Sequence, residues 1–235
     1  MMRFLRHILG IAALVSLAPA ASAADVSYAG VKTCTKCHYD HGQSWAATAH
    51  ARTFESLKPE VKTDAKKRVK LDPSRDYTKD KDCLGCHTTG FGRAGGYQVG
   101  AEPGGAEALG SVGCESCHGA GSGYRDLHSK ADKRLKETSE STPRKVLVSA
   151  GQNFDYARAC AGCHLNYQGS PYKGAKPPYL PFTPAVDAKY RFEFDEAVRS
   201  EALHEHYKLK GAFAGDPVPP IRAEFQKTAK EISEE

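Results

Sequence analysis

The chain has 235 residues, with 33 lysines and arginines against 28 aspartates and glutamates, 40% hydrophobic residues and a mean hydropathy of −0.53. This length suits one domain, and the aliphatic content is thin for a chain that buries only its own side chains. The net charge of +5 is scattered over short basic runs, which gives no indication of nucleic-acid binding and leaves only local docking patches.

Residues 1–23, "MMRFLRHILGIAALVSLAPAASA", place Arg3 and Arg6 before an apolar run from Ile8 to Leu17 and end on Ala21-Ser22-Ala23. This is the pattern of a cleaved secretory leader, and the apolar run falls well short of the roughly 20 residues that a membrane span requires. No later stretch spans either. The expected mature protein is therefore residues 24–235, a soluble periplasmic domain.

Along that domain, a helix is expected from about Asp40 to Leu57. A charged stretch from Lys58 to Asp82 follows, with Lys62, Lys66, Lys67, Arg68 and Lys70 on a solvated face. The glycines of "GFGRAGGYQVGAEPGGAEALGSVG" break any helix and give a loop or short hairpin. A glycine turn at "CHGAGSG" opens a helix ending near Glu137. "GSPYKGAKPPYLPFTP" is extended or turning. A helix from Phe194 to Lys210 and a polar helical tail from Arg222 to Glu235 complete a mainly α expectation with little β-structure.

All eight cysteines fall into one repeated grammar: Cys34-x-x-Cys37-His38, Cys83-x-x-Cys86-His87, Cys114-x-x-Cys117-His118 and Cys160-x-x-Cys163-His164. Disulfides, a thioredoxin-like pair or zinc sites do not explain a histidine after the second cysteine all four times. Covalent attachment of c-type haem does. Four haems on so short a chain would form much of its core, which answers the shortage of aliphatic side chains. Cleavage removes Arg3 and Arg6, and four ferric haems add about −4 through their propionates, so the loaded protein is expected near neutral.

Each motif fills one axial position of its iron. The usual second ligand is methionine or histidine. Met1 and Met2 are the only methionines and leave with the leader, so methionine ligation is excluded in the mature protein. Of 10 histidines, His7 leaves too and four belong to the motifs. His41, His50, His128, His204 and His206 remain. His41 is too close to His38 to reach the far side of the same iron, and on the expected helix only one of His204 and His206 can face a haem. Three irons are then readily served and one lacks a protein ligand on its distal side. Counting does not say which.

Outside the motifs, "SWAATAHA", "ESLKPEVK", "KLDPSRDYTKDKDC", "GVGCESCHG", "CHLNYQGSPYKGAK", "PFTPAVDAKY" and "HEHYKL" resemble the tetrahaem cytochrome c-554 family, the electron acceptors of hydroxylamine oxidoreductase in ammonia-oxidising bacteria. The resemblance implies a single multihaem domain with three bis-histidine haems and one five-coordinate, high-spin haem. It pairs His38 with His128, His50 with His118 and His164 with His204, and leaves His87 open. The chain departs from the pattern in a longer glycine-rich segment before Cys114 and in Leu180, where a threonine is expected; Leu180 would alter the polarity of the open face.

The function so implied is periplasmic electron transfer from a hydroxylamine oxidoreductase-like multihaem donor, through a membrane or soluble cytochrome acceptor, towards the quinone pool. The competing expectation is an enzyme that reduces nitric oxide or a related nitrogen oxide at the open iron. A haem-storage role fits poorly, because fixed bis-histidine ligation suits redox cycling.

Overall fold

The computed structural model describes residues 26–102, 108–164, 184, 187–200 and 203–232. The expected leader and the proline-rich segment with Leu180 lie outside the described residues. Among those described the chain is mainly helical, in short pieces: α1 (Val31–Cys34), α2 (Tyr39–Ala46), α3 (Thr63–Arg68), α4 (Lys81–His87), α5 (Cys114–His118), α6 (Arg125–Thr138), α7 (Lys145–Ser149), α8 (Tyr156–Ala161), α9 (Phe194–Arg199) and α10 (Arg222–Thr228). Two parallel two-residue strands, β1 (Thr142–Pro143) and β2 (Phe213–Ala214), are the described sheet.

The expected Asp40–Leu57 helix is broken. α2 stops at Ala46 and the chain continues as 3₁₀ turns at His50–Arg52 and Phe54–Leu57. The Thr48 hydroxyl donates to Trp45 O at 2.7 Å and the Trp45 indole N–H donates to Val112 O at 3.0 Å. These bonds fix the break and re-aim His50. The Phe194–Lys210 helix is also shorter than expected: α9 ends at Arg199, and His204 to His206 are non-helical, next to a bridge between Tyr207 and Lys230. Among the described residues of the tail, the helix is α10.

The charged stretch is not all solvated. Lys66 is 4% exposed, its ammonium donates to Lys58 O at 2.5 Å, and it lies over the Tyr77 ring at 5.4 Å. An alkyl stem that reaches a carbonyl and an aromatic face can bury without a carboxylate partner.

The apolar core gathers under α4: Phe54, Leu57, Tyr77, Leu84, Tyr97 and Leu109. Leu84, between Cys83 and Cys86, is fully buried. The Asp80 carboxylate caps α4 by accepting from Asp82 N, and that of Asp155 caps α8 by accepting from Arg158 N; both are ordinary N-cap bonds. The third motif is set by two glycines. A Cβ on Gly113 would meet the Val31 side chain at 2.6 Å, and one on Gly119 (φ +82°) would meet Gly151 O at 2.5 Å. Only glycine lets α5 lie this close to α1 and to the turn after α7.

Candidate haem centres

The four motifs adopt one local geometry. α4 and α5 contain the second and third motifs whole. The first and fourth overrun α1 and α8, yet His38 N donates to Cys34 O at 3.1 Å and His164 N to Cys160 O at 2.9 Å, closing the same helical turn. Cysteines three apart on such a turn share a face, with the histidine one residue beyond. All eight cysteines are free of disulfides, so the thiols are available in the pairs that haem attachment needs.

The motifs also lie against one another. The side chain of Cys34 adjoins that of Cys114, Cys117 adjoins Cys160, and Cys86 adjoins Cys163. Motif one therefore abuts motif three, three abuts four, and four abuts two.

The imidazoles fall into facing sets. The rings of His38 and His128 are 6.3 Å apart and nearly perpendicular, and those of His50 and His164 are 6.0 Å apart. Two imidazoles each about 2 Å from a shared metal have ring centres roughly 6 Å apart, so both spacings fit an iron between them. The second pair departs from the expected set: His50 faces His164, where the family resemblance paired it with His118. The 3₁₀ break after α2 turns His50 that way. Burial lowers the His118 imidazole to about 4, and His204 lies within electrostatic reach of His118, of His50 and of His41. His164 stacks on Phe192 at 4.4 Å, 17° between planes.

Several rings have their tautomer fixed. His87 Nδ1 donates to Thr53 O at 2.8 Å, with Ser56 Oγ at 3.1 Å. His128 Nδ1 bonds Tyr124 O at 3.2 Å, and His204 Nδ1 bonds Glu205 O at 2.9 Å. A ring that spends Nδ1–H on a carbonyl presents the Nε2 lone pair, the form a metal takes. His118 Nδ1 lies 3.3 Å from the Tyr156 hydroxyl. Burial lowers the proton affinity of His38, His50, His87, His128, His164 and His204, which keeps each imidazole neutral and able to coordinate.

The two spare histidines behave differently. His206 directs Nε2 to Val198 O at 3.0 Å and stacks on Phe225 at 3.9 Å, so its coordinating nitrogen is already engaged. His204 is therefore the free member of the pair, for a reason of hydrogen bonding rather than helix phase. His41 sits edge-on to His38 at 5.4 Å and against Tyr207 at 4.5 Å. Among the described residues no second imidazole packs against His87.

The supports Thr53, Ser56, Tyr124, Asn153, Tyr156 and Phe192 carry no signal in the motif spacing. Asn153 donates from its side chain to Cys117 O at 2.7 Å and from its backbone to His118 O at 2.8 Å, which pins the end of α5. Among the described residues no helix is long and apolar enough to cross a membrane.

The family model for cytochrome c554 and c-prime matches residues 33–119. Cytochrome c-554 of Nitrosomonas europaea is 52% identical over 221 residues, covering 93% of each chain. The solved structure of the reduced state of cytochrome c554 from the same organism aligns with a TM-score of 0.83 at 52% identity, over 88% of this chain and 99% of that one.

Proposed function

The chain belongs to the cytochrome c554 family, and from that premise we propose that it is a periplasmic tetrahaem electron carrier. It accepts electrons from a hydroxylamine oxidoreductase-type multihaem enzyme and relays them, through a membrane or soluble cytochrome, towards the quinone pool. Residues 1–23 are its cleaved leader.

In this reading Cys34 and Cys37, Cys83 and Cys86, Cys114 and Cys117, and Cys160 and Cys163 each hold one haem c. His38, His87, His118 and His164 are the proximal ligands. His128 stands opposite His38 and His50 opposite His164, as the facing rings support. His204 stands opposite His118, the partner left once His128 and His50 are placed, and its Nδ1 bond to Glu205 O leaves Nε2 for the iron. His87 keeps an open face. When bound, haem supplies one-electron chemistry at its iron; the chain holds imidazoles neutral, fixes their tautomers and excludes water.

The observation that carries the relay is the contact between attachment sites. Cys34 adjoins Cys114, Cys117 adjoins Cys160 and Cys163 adjoins Cys86, which supports an unbroken order one, three, four, two. Electrons then need no side-chain carrier between sites. The His87 motif is one terminus of this order, and the His38 motif is the other.

Mass spectrometry of the mature protein tests the basis: an N-terminus near Ala24 with four haem masses is expected, and three haems or an intact leader would refute it. The unpaired His87 also favours a second reading, reduction of nitric oxide at that iron. Binding of nitric oxide without turnover under a chemical reductant supports the carrier; sustained turnover supports the enzyme.

A further inference from the structure

Haem attachment through the third motif does not require Glu115, which stands between Cys114 and Cys117. Its side chain is nevertheless buried, with the residue 3% exposed. Oε1 accepts from Ala29 N at 2.8 Å and from Gly121 N at 2.5 Å, and Oε2 accepts from Gly30 N at 2.7 Å. Every partner is a backbone donor, and among the described residues no cation pairs with it. That is how a carboxylate is held as an anion inside a protein.

Its position ties it to two haem sites at once. It lies on α5 with the third motif, and two of its donors belong to the segment that opens α1 and the first motif. Cys34 and Cys114 adjoin one another beside it. Its field is felt locally: after burial, Glu115 does most to push the Tyr124 hydroxyl up.

We propose that Glu115 is a potential-setting residue, whose fixed negative charge disfavours reduction of the haem held by Cys114, Cys117 and His118, and more weakly of the haem held by Cys34, Cys37 and His38. The proposal rests on the haem assignment above and adds the side chain that separates these two sites energetically from those on His87 and His164. Reduction brings one electron to the iron and moves no proton to or from Glu115; the carboxylate acts only through its charge. A unit charge roughly 10 Å from an iron, at an effective dielectric of about 20, changes a one-electron equilibrium on the order of tenfold. Burial shields it from salt, so the effect persists at high ionic strength.

The test is a redox titration of the four-haem protein by electron paramagnetic resonance, at low and high salt, for wild type, Glu115→Gln, Glu115→Asp and Ser122→Ala. Haem content and spin state are read first on the same samples, so a failure of the haem assignment is seen separately. In Glu115→Gln the reduced-to-oxidised ratio of the His118 haem should rise about tenfold at fixed potential, or about 59 mV for one electron. A smaller rise is expected for the His38 haem and none for the His87 and His164 haems. Glu115→Asp keeps the charge and should stay close to wild type. Ser122→Ala removes the hydroxyl that accepts from Ser27 N at 2.7 Å, loosening the same segment without touching the charge, and should leave the potentials unchanged. Glu115→Leu, neutral and without a donor facing Gly30, replaces the glutamine variant should its amide impair maturation. Unchanged potentials in the neutral variants, or an equal rise in Ser122→Ala, would overturn the proposal.

Discussion

Replacing His50 by alanine should change one haem and leave the rest of the protein in place. The backbone role of this residue survives the substitution, because its carbonyl still accepts from Val112 N at 3.1 Å. What is lost is an imidazole whose ring centre lies 6.0 Å from that of His164, on the proposed ligation one axial ligand of one iron. If three irons lie between paired imidazoles and a fourth is open, as proposed, the low-spin signal should fall by about one third and the high-spin signal should roughly double. Electron paramagnetic resonance of the oxidised protein reads both. Two further variants identify the haem concerned. Phe192→Leu removes the ring stacked on His164 at 4.4 Å, whereas Tyr156→Phe removes the hydroxyl 3.3 Å from His118 Nδ1. The signal lost in His50→Ala should be the one that Phe192→Leu shifts. If it is the signal that Tyr156→Phe shifts, His50 serves the His118 iron and the pairing read from the structure is wrong.

Other outcomes are equally specific. His204→Ala should create a new high-spin haem, whereas His206→Ala should leave every spin state alone and lower stability to urea by about 1–2 kcal/mol, through loss of the Val198 hydrogen bond and the Phe225 stack. Leu84→Ala, at a fully buried position, should cost about 2–5 kcal/mol, read as a lower thermal midpoint; a midpoint within error of wild type would show that α4 is not anchored there. Burial holds His41 at about 4 against an ordinary 6.5, so the unfolded chain takes up a proton that the folded one refuses. The folded value lies below the unfolded one, and for a base this leaves stability undiminished above about pH 6.5 and falling as pH drops towards 4. Urea midpoints at pH 7 and pH 5 check the sign, and a higher midpoint at pH 5 would contradict it.

Attachment chemistry was legible in the sequence because it is local. Cysteines three apart with a histidine beyond them need only one helical turn, and the structure supplies that turn four times. The exclusion of methionine from the proposed ligands is likewise a matter of sequence, since methionine is confined to Met1 and Met2. Pairing was not. His50 and His164 are brought together by a break after α2, and that break depends on the Trp45 indole reaching Val112 O, a contact no spacing rule contains. That only one of His204 and His206 can face a haem was argued from a helix that is not there, and the choice of His204 came from the family resemblance; what separates them is that Val198 O occupies Nε2 of one and not the other. Lys66 looked like part of a solvated face because composition alone cannot register the Tyr77 ring and the Lys58 carbonyl that bury it. Glu115 sat in plain view between two cysteines, but its meaning lies in three backbone donors, two of them from a segment far away in sequence.

The relay itself is tested most directly by mixing the oxidised protein with hydroxylamine oxidoreductase and hydroxylamine and following haem reduction by stopped flow. The account predicts that the haems are reduced during enzyme turnover, with the His87 haem among the first, and are reoxidised when a quinone-linked cytochrome acceptor is added. A protein that dithionite reduces fully but that the working enzyme leaves oxidised would contradict it.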